Sequence, residues 1–293
     1  MTNTSFLNRN SFKISIAVLL LTLLASCKTL NRKVTYPQMV SNASDQAQKL
    51  VNNSDYSTCE FGVEKRFGEI LLKNNLWGRR KLNSPDSIEL CSFKKGDYYG
   101  WKWQLPNNAR GVIGYPALQV GNNPFSKKEK NPDFPIKLTE MSKLTVNYDV
   151  ETHVKFKKYN LAFDLWLVNK EQQYNNTNIT TEIMIWEDYF NFTSFGKKKE
   201  SIITPFGVYD VLVGHLLNPK FNQDWTYVAF VRKTPRSKGE VDIAFFMDYL
   251  VKNKIVSVED YFTSIEFGNE IGNSSGITLV KEFNWNLVRK NLN

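Results

Sequence analysis

TTEIMIW, at Thr180–Trp186, sets Glu182, Met184 and Trp186 in alternation with Ile183 and Ile185. A period of two is that of a strand with one apolar face and one mixed face. A carboxylate in mid-strand is costly unless it is solvated or hydrogen-bonded. Sharing its face with a thioether and an indole suits the wall of a sugar-binding cleft. Just upstream, LAFDLWLV at Leu161–Val168 has the same period, with Ala162, Asp164 and Trp166 on one face and Leu161, Phe163, Leu165 and Leu167 on the other. Were the two strands neighbours, Asp164 and Glu182 would share a surface.

The pattern continues outward. Lys143–Lys155 alternates around Leu144, Val146, Tyr148 and Val150, and Tyr209–Leu217, Trp225–Lys233, Val258–Phe267 and Thr278–Val288 read as further strands. Toward the N-terminus, Ser87–Phe93 and Tyr98–Trp103 (YYGWKW) are short strands, with Tyr99, Trp101 and Trp103 on one face. Only Val241–Val251 breaks the rhythm, placing Ile243, Phe246, Met247 and Leu250 at helical spacing. Many short strands joined by turns, with one helix, point to an all-β protein of two packed sheets or a barrel.

The chain has 293 residues, a formal charge of +9 and 14% aromatic residues. That length suits one large β domain or two small ones. Its basic residues are scattered, the clearest cluster being KKKE at Lys197–Glu200, which argues against nucleic acid as a partner. His153 and His215 are the only histidines and no zinc spacing of cysteines exists, which argues against a histidine-based metal site or a Ser-His triad.

The first 26 residues read as an address. Arg9 and Lys13 precede the apolar run Ile14–Ala25, too short for an ordinary membrane span and right for an export signal. The run ends in Leu24-Ala25-Ser26-Cys27, which resembles the lipobox of bacterial lipoproteins, cleaved before a cysteine that is then lipidated. That resemblance implies an anchor at Cys27, and Lys28, in place of aspartate, points to the outer membrane; a simple secretory signal is the alternative. Residues 27–57, rich in Asn, Ser, Gln and Lys, read as a flexible tether, leaving 58–293 as the folded domain. Cys59 and Cys91 remain. In an oxidising compartment they suit a disulfide closing about 33 residues and contributing roughly 3–4 kcal/mol; two buried free thiols are the alternative.

Near the C-terminus, IEFGNEIG at Ile265–Gly272 carries Glu266, which alternates with Phe267 and is expected to be exposed, and Glu270, which follows a Gly-Asn turn. Taken alone Glu270 is a turn residue. A glycosidase, however, needs two carboxylates across the scissile bond, one ionised and one protonated, and these can come from distant strand ends.

Several stretches together resemble glycoside hydrolase family 12: NNLWG at Asn74–Gly78, AFDLWL at Ala162–Leu167, TEIMIW at Thr181–Trp186, FGVYDVLVG at Phe206–Gly214, IAFFMDYLV at Ile243–Val251 and IEFGNEIGNSSG at Ile265–Gly276. The resemblance implies a jelly-roll β-sandwich of two curved antiparallel sheets, with a concave substrate cleft and one packed helix. It matches Glu182 to the family nucleophile, Glu270 to the general acid/base and Asp164 to the carboxylate supporting the nucleophile. Asn75, Trp77 and Met184 match residues near bound glucan, and Cys59–Cys91 matches an N-terminal disulfide. The implied activity is retaining endo-hydrolysis of β-1,4-glucan (cellulose, mixed-linkage glucan or xyloglucan) by a monomer that needs no cofactor or metal. Trp101, Trp103 and Tyr115 join Trp77 as candidate sugar platforms, with core packing the alternative for each. WEDYFNFTSFG at Trp186–Gly196 lacks the glycine- and proline-rich continuation the family leads one to expect. A non-catalytic glycan-binding lipoprotein on the same scaffold is the competing reading.

Overall fold

The alternation at Thr180–Trp186 lies inside a strand of twelve residues, Ile179–Phe190, in the middle of a ten-stranded sheet. The computed structural model describes residues 48–79, 88–106, 111–125, 131–156, 158–170, 178–218 and 223–291. These all fall in one unit, Val40–Asn293. In chain order the strands are β1 Tyr56–Thr58, β2 Glu64–Phe67, β3 Ile70–Lys73, β4 Glu89–Lys95, β5 Tyr98–Gln104, β6 Ala117–Gly121, β7 Ile136–Lys137 and β8 Met141–Phe156. They continue as β9 Tyr159–Val168, β10 Ile179–Phe190, β11 Lys197–Thr204, β12 Gly207–Asn218, β13 Gln223–Arg232, β14 Lys238–Asp242, β15 Tyr261–Gly268 and β16 Ser275–Arg289. A ten-residue helix, α1, spans Ile243–Lys252 between β14 and β15.

The strands form a sandwich of two sheets. One has six strands in the order β1-β4-β5-β16-β8-β14; the other runs β11-β12-β13-β10-β9-β15-β6-β3-β2, with β7 added on β15. Odd-numbered side chains of β9 and β10 (Leu161, Phe163, Leu165, Leu167, Ile183, Ile185) face the shared core, as their period requires. Tyr99, Trp101 and Trp103 enter the same core from the six-stranded sheet. Helix α1 buries Ile243, Ala244, Phe246, Met247 and Leu250. Asp242 caps it, accepting from the Ala244 N–H at 3.1 Å and from the Leu144 N–H at 3.0 Å, which ties the helix start to β8.

Three expectations are corrected here. The tether ends earlier than residue 57: Gln48–Asn52 is helical, Leu50 and Val51 pack on Phe93 and Ile277, and β1 pairs with β4. Apolar side chains at 50 and 51 are enough to dock a segment that is otherwise polar. Secondly, the sheets are not wholly antiparallel, because β10 and β13 pair in parallel, Glu182 opposite Tyr227. After β10 the chain crosses the outer face of the sheet to reach the far edge: Phe192 stacks on Trp186 at 5.4 Å, Phe195 meets Tyr227 at 5.6 Å, and a Cβ at Gly214 would strike the Phe195 ring at 2.7 Å. Aromatic rings, in place of glycines and prolines, seat this crossing. Thirdly, the KKKE cluster at Lys197–Glu200 opens a strand, β11. As an exposed edge strand it carries no alternating apolar face, and its lysines discourage further strand addition.

Cys59 and Cys91 are joined by a disulfide. The lipobox and Cys27 lie outside the described residues. Among the described residues no helix is long and apolar enough to cross a membrane.

Candidate active site

The outer face of the ten-stranded sheet carries the polar and aromatic half of each alternating strand. Strand register sets them in rows. Gln119, Glu266, Asp164, Met184 and Ala229 lie opposite one another across β6, β15, β9, β10 and β13, while Trp166, Glu182 and Tyr227 form the next row. On the other side of the Asp164 row are Lys73, Ala117, Gly268, Ala162 and Trp186. The small residues leave space above the sheet. At Gly268 a Cβ would lie 2.1 Å from the Pro116 carbonyl, so only glycine lets the 114–116 segment approach.

Above these rows is a cavity of about 730 Å³ whose lining includes Asp164, Glu182, Glu266 and Glu270. Glu270 arrives from the turn after β15. Asn160 holds it from both sides, accepting from the Glu270 N–H at 2.8 Å and donating from Nδ2 to its carboxylate. Asn160 is itself held, its carbonyl accepting from Asn269 Nδ2 at 2.6 Å, and Asn269 Oδ1 accepts from Trp101 Nε1 at 2.7 Å. Glu182 Oε2 accepts from Trp225 Nε1 at 2.8 Å. Glu266 pairs with Lys73 at 2.6 Å and accepts from Asn123.

Asp164, Glu182 and Glu270 are half-buried and line the cavity. Burial pushes Glu182 up to about 7, opposed by the Trp225 hydrogen bond and aided by the Glu266 charge. Burial, then the Glu182 charge, pushes Glu270 to about 8 against the Asn160 bond. Asp164 rises well above the usual carboxylate range through burial and the charges of Glu182, Glu266 and Glu270, with Lys73 pulling the other way. Carboxylates crowded into low dielectric cannot all ionise, so this cluster holds protons near neutral pH and can both donate and accept them.

Of the residues expected from sequence, Asp164, Glu182, Glu270, Asn75, Trp77, Met184 and Tyr115 all line the cavity. Trp77 is an open ring, 53% exposed. Tyr115 is a wall, its hydroxyl donating to the Ala162 carbonyl at 2.8 Å. Trp101 and Trp103 are not platforms. Both are fully buried in the core, and their indole N–H groups bond Asn269 Oδ1 at 2.7 Å and Ser274 Oγ at 2.9 Å. They alternate with Lys102, and their face of β5 points into the core. Glu266, expected to be exposed, is buried on Lys73.

Sequence reasoning passed over Lys73, Asn123, Trp166 and Trp225 as site residues. Trp166 could have been found, since it stands two residues from Asp164 on the same face. Lys73 and Asn123 carried no such signal, because only the β3–β6–β15 pairing brings their segments beside Glu266.

The structure is thus a two-sheet sandwich with a carboxylate-rich, aromatic-walled cavity on one outer face. The chain belongs to glycosyl hydrolase family 12, whose model matches residues 68–288. At the level of the family, that match supports a glycosidase acting on β-1,4-glucan-type substrates. The chain is 27% identical over 237 residues to endoglucanase S of Pectobacterium parmentieri, covering 77% of this chain and 83% of that one. Its fold matches a family 12 xyloglucanase from Bacillus licheniformis with a TM-score of 0.73 at 22% identity, covering 80% of this chain and 100% of that one. It also matches endoglucanase cel12A from Rhodothermus marinus with a TM-score of 0.67 at 19% identity, with the same coverage.

Proposed function

We propose that the protein is a retaining endo-β-1,4-glucanase in which Glu182 is the nucleophile and Glu270 the general acid/base. One observation carries the reading: carboxylates from β10 and from the turn after β15 line the same cavity, and burial raises both above the usual carboxylate range. Ionised Glu182 attacks the anomeric carbon while Glu270 gives its proton to the departing glycosidic oxygen. Glu270, now ionised, takes a proton from water, which attacks the anomeric carbon and releases Glu182. Asp164, opposite Met184 on the same outer face, completes the carboxylate cluster beside Glu182.

Trp77 offers a face for pyranose C–H groups, and Asn75, Met184 and Tyr115 complete the wall. The names of the relatives, endoglucanase and xyloglucanase, support a linear or branched β-1,4-glucan as substrate. The Leu24-Ala25-Ser26-Cys27 motif supports export and lipid attachment at Cys27. The test is hydrolysis of soluble β-glucan by the wild type and by Glu182→Gln and Glu270→Gln. Each variant should lose activity by about 10³-fold or more. Near-wild-type turnover by either cleanly folded variant removes that residue from its role.

A further inference from the structure

The parallel pairing of β10 with β13 places Tyr227 opposite Glu182 and Trp225 two residues before it on the same outer face. Trp225 reaches Glu182 Oε2 with its indole N–H at 2.8 Å, while its ring stands edge-on to Trp166 at 5.9 Å; Trp166 in turn meets Phe125 at 4.9 Å. Trp225 is 9% exposed, and the three rings lie along the cavity lining beside Glu182. An antiparallel β13 in this position would put different side chains beside the carboxylate.

We propose that Trp225 is a positioning residue for the nucleophile: its N–H fixes Oε2, leaves Oε1 free to attack, and favours the ionised carboxylate. This rests on the assignment of Glu182 as nucleophile. A donor held by ring packing has little rotamer freedom to lose, so the bond is preorganised before substrate arrives. The other groups facing Glu182 cannot do this work. Tyr227, opposite it on β13, donates to Met184 Sδ at 3.3 Å. Asp164 on β9, Glu266 on β15 and Glu270 after β15 each oppose a negative charge at Glu182, and Lys73 on β3 is engaged by Glu266. The indole is therefore the side-chain donor that reaches Glu182.

The test is Trp225→Phe, which keeps an aromatic ring against Trp166 and deletes the N–H. The acid limb of kcat/KM, set by Glu182, should move up by about one pH unit, and kcat below that limb should fall about tenfold, with KM little changed. The alkaline limb, set by Glu270, should stay. The kcat loss should persist on an aryl β-cellobioside whose leaving group needs no proton, because the defect is in the attack. An acid limb that does not move in a folded Trp225→Phe protein overturns the proposal. A second measurement needs no Trp225 variant: the ¹⁵N-indole resonance of Trp225 in the wild type should titrate with Glu182 and lose that titration in Glu182→Gln. A pH-independent resonance also overturns it. If Glu182→Gln itself remains active, the nucleophile assignment has failed. If Glu182→Gln is inactive and the limb is unmoved in Trp225→Phe, only the positioning role has failed.

Discussion

Replacing Glu182 by glutamine should stabilise the protein, and only above acid pH. Burial raises its carboxyl to about 7, against 4.5 for a free glutamate. The folded state thus holds the proton more tightly than the unfolded state does. Between those two values stability falls as pH rises, because the unfolded chain releases its proton first. Above the upper value the penalty is constant. At about 1.4 kcal/mol per pH unit the gap sets a ceiling of about 3 kcal/mol. Glu182 is half-buried and open to cavity water, which brings the expected figure to roughly 1–2 kcal/mol. Glutamine carries no charge, fills the same space and can still accept from Trp225. Glu182→Gln should therefore melt with the wild type at pH 4 and about 2–8 °C above it at pH 8, given the size of the domain. Thermal melts across pH 4 to 9 measure this. An equal gain at both pH values, or a loss at pH 8, refutes the claim that an ionised Glu182 is held at a cost for the sake of its chemistry.

Lys73→Met should leave Glu266 buried without its cation and cost about 3–5 kcal/mol, while the paired change Lys73→Met with Glu266→Gln should recover much of it, since Asn123 can still donate; a double-mutant cycle of melts reports the coupling. Reducing Cys59–Cys91, or changing both to serine, should cost roughly 3–4 kcal/mol, read by denaturant unfolding with and without reductant. Trp77→Ala should raise KM for long glucans several-fold with little change in kcat, because an exposed ring binds sugar before and during reaction alike; a fall in kcat alone would contradict the platform role.

Most of the sheet was legible because alternation is a local property. LAFDLWLV and TTEIMIW state by themselves which side chains face the core, and both strands were found with the correct face. Helix α1 was legible for the same reason at a different period, beginning two residues later than the spacing suggested because Asp242 caps it. What a strand's own pattern does not carry is which side of its sheet is covered. YYGWKW shows three rings on one face, and nothing local says that the face lies against the second sheet. Register is equally hidden. The parallel β10–β13 pair depends on where residues 191–196 cross, and Trp225 meets Glu182 only as a consequence. Glu266 shows a related limit. Its alternation with Phe267 correctly put it opposite the core, but the outer face there is roofed by Lys73 and Asn123, so opposite the core did not mean exposed.

The central claim is that Glu182 makes a covalent bond to sugar. Incubation with a 2-deoxy-2-fluoro-β-cellobioside bearing a good leaving group slows release of the glycosyl-enzyme more than its formation. Proteolysis and mass spectrometry should then find one adduct, on the peptide carrying Glu182, and none in Glu182→Gln. An adduct on Asp164, Glu266 or Glu270, or steady hydrolysis of β-glucan by an enzyme that forms no adduct at all, would contradict the account.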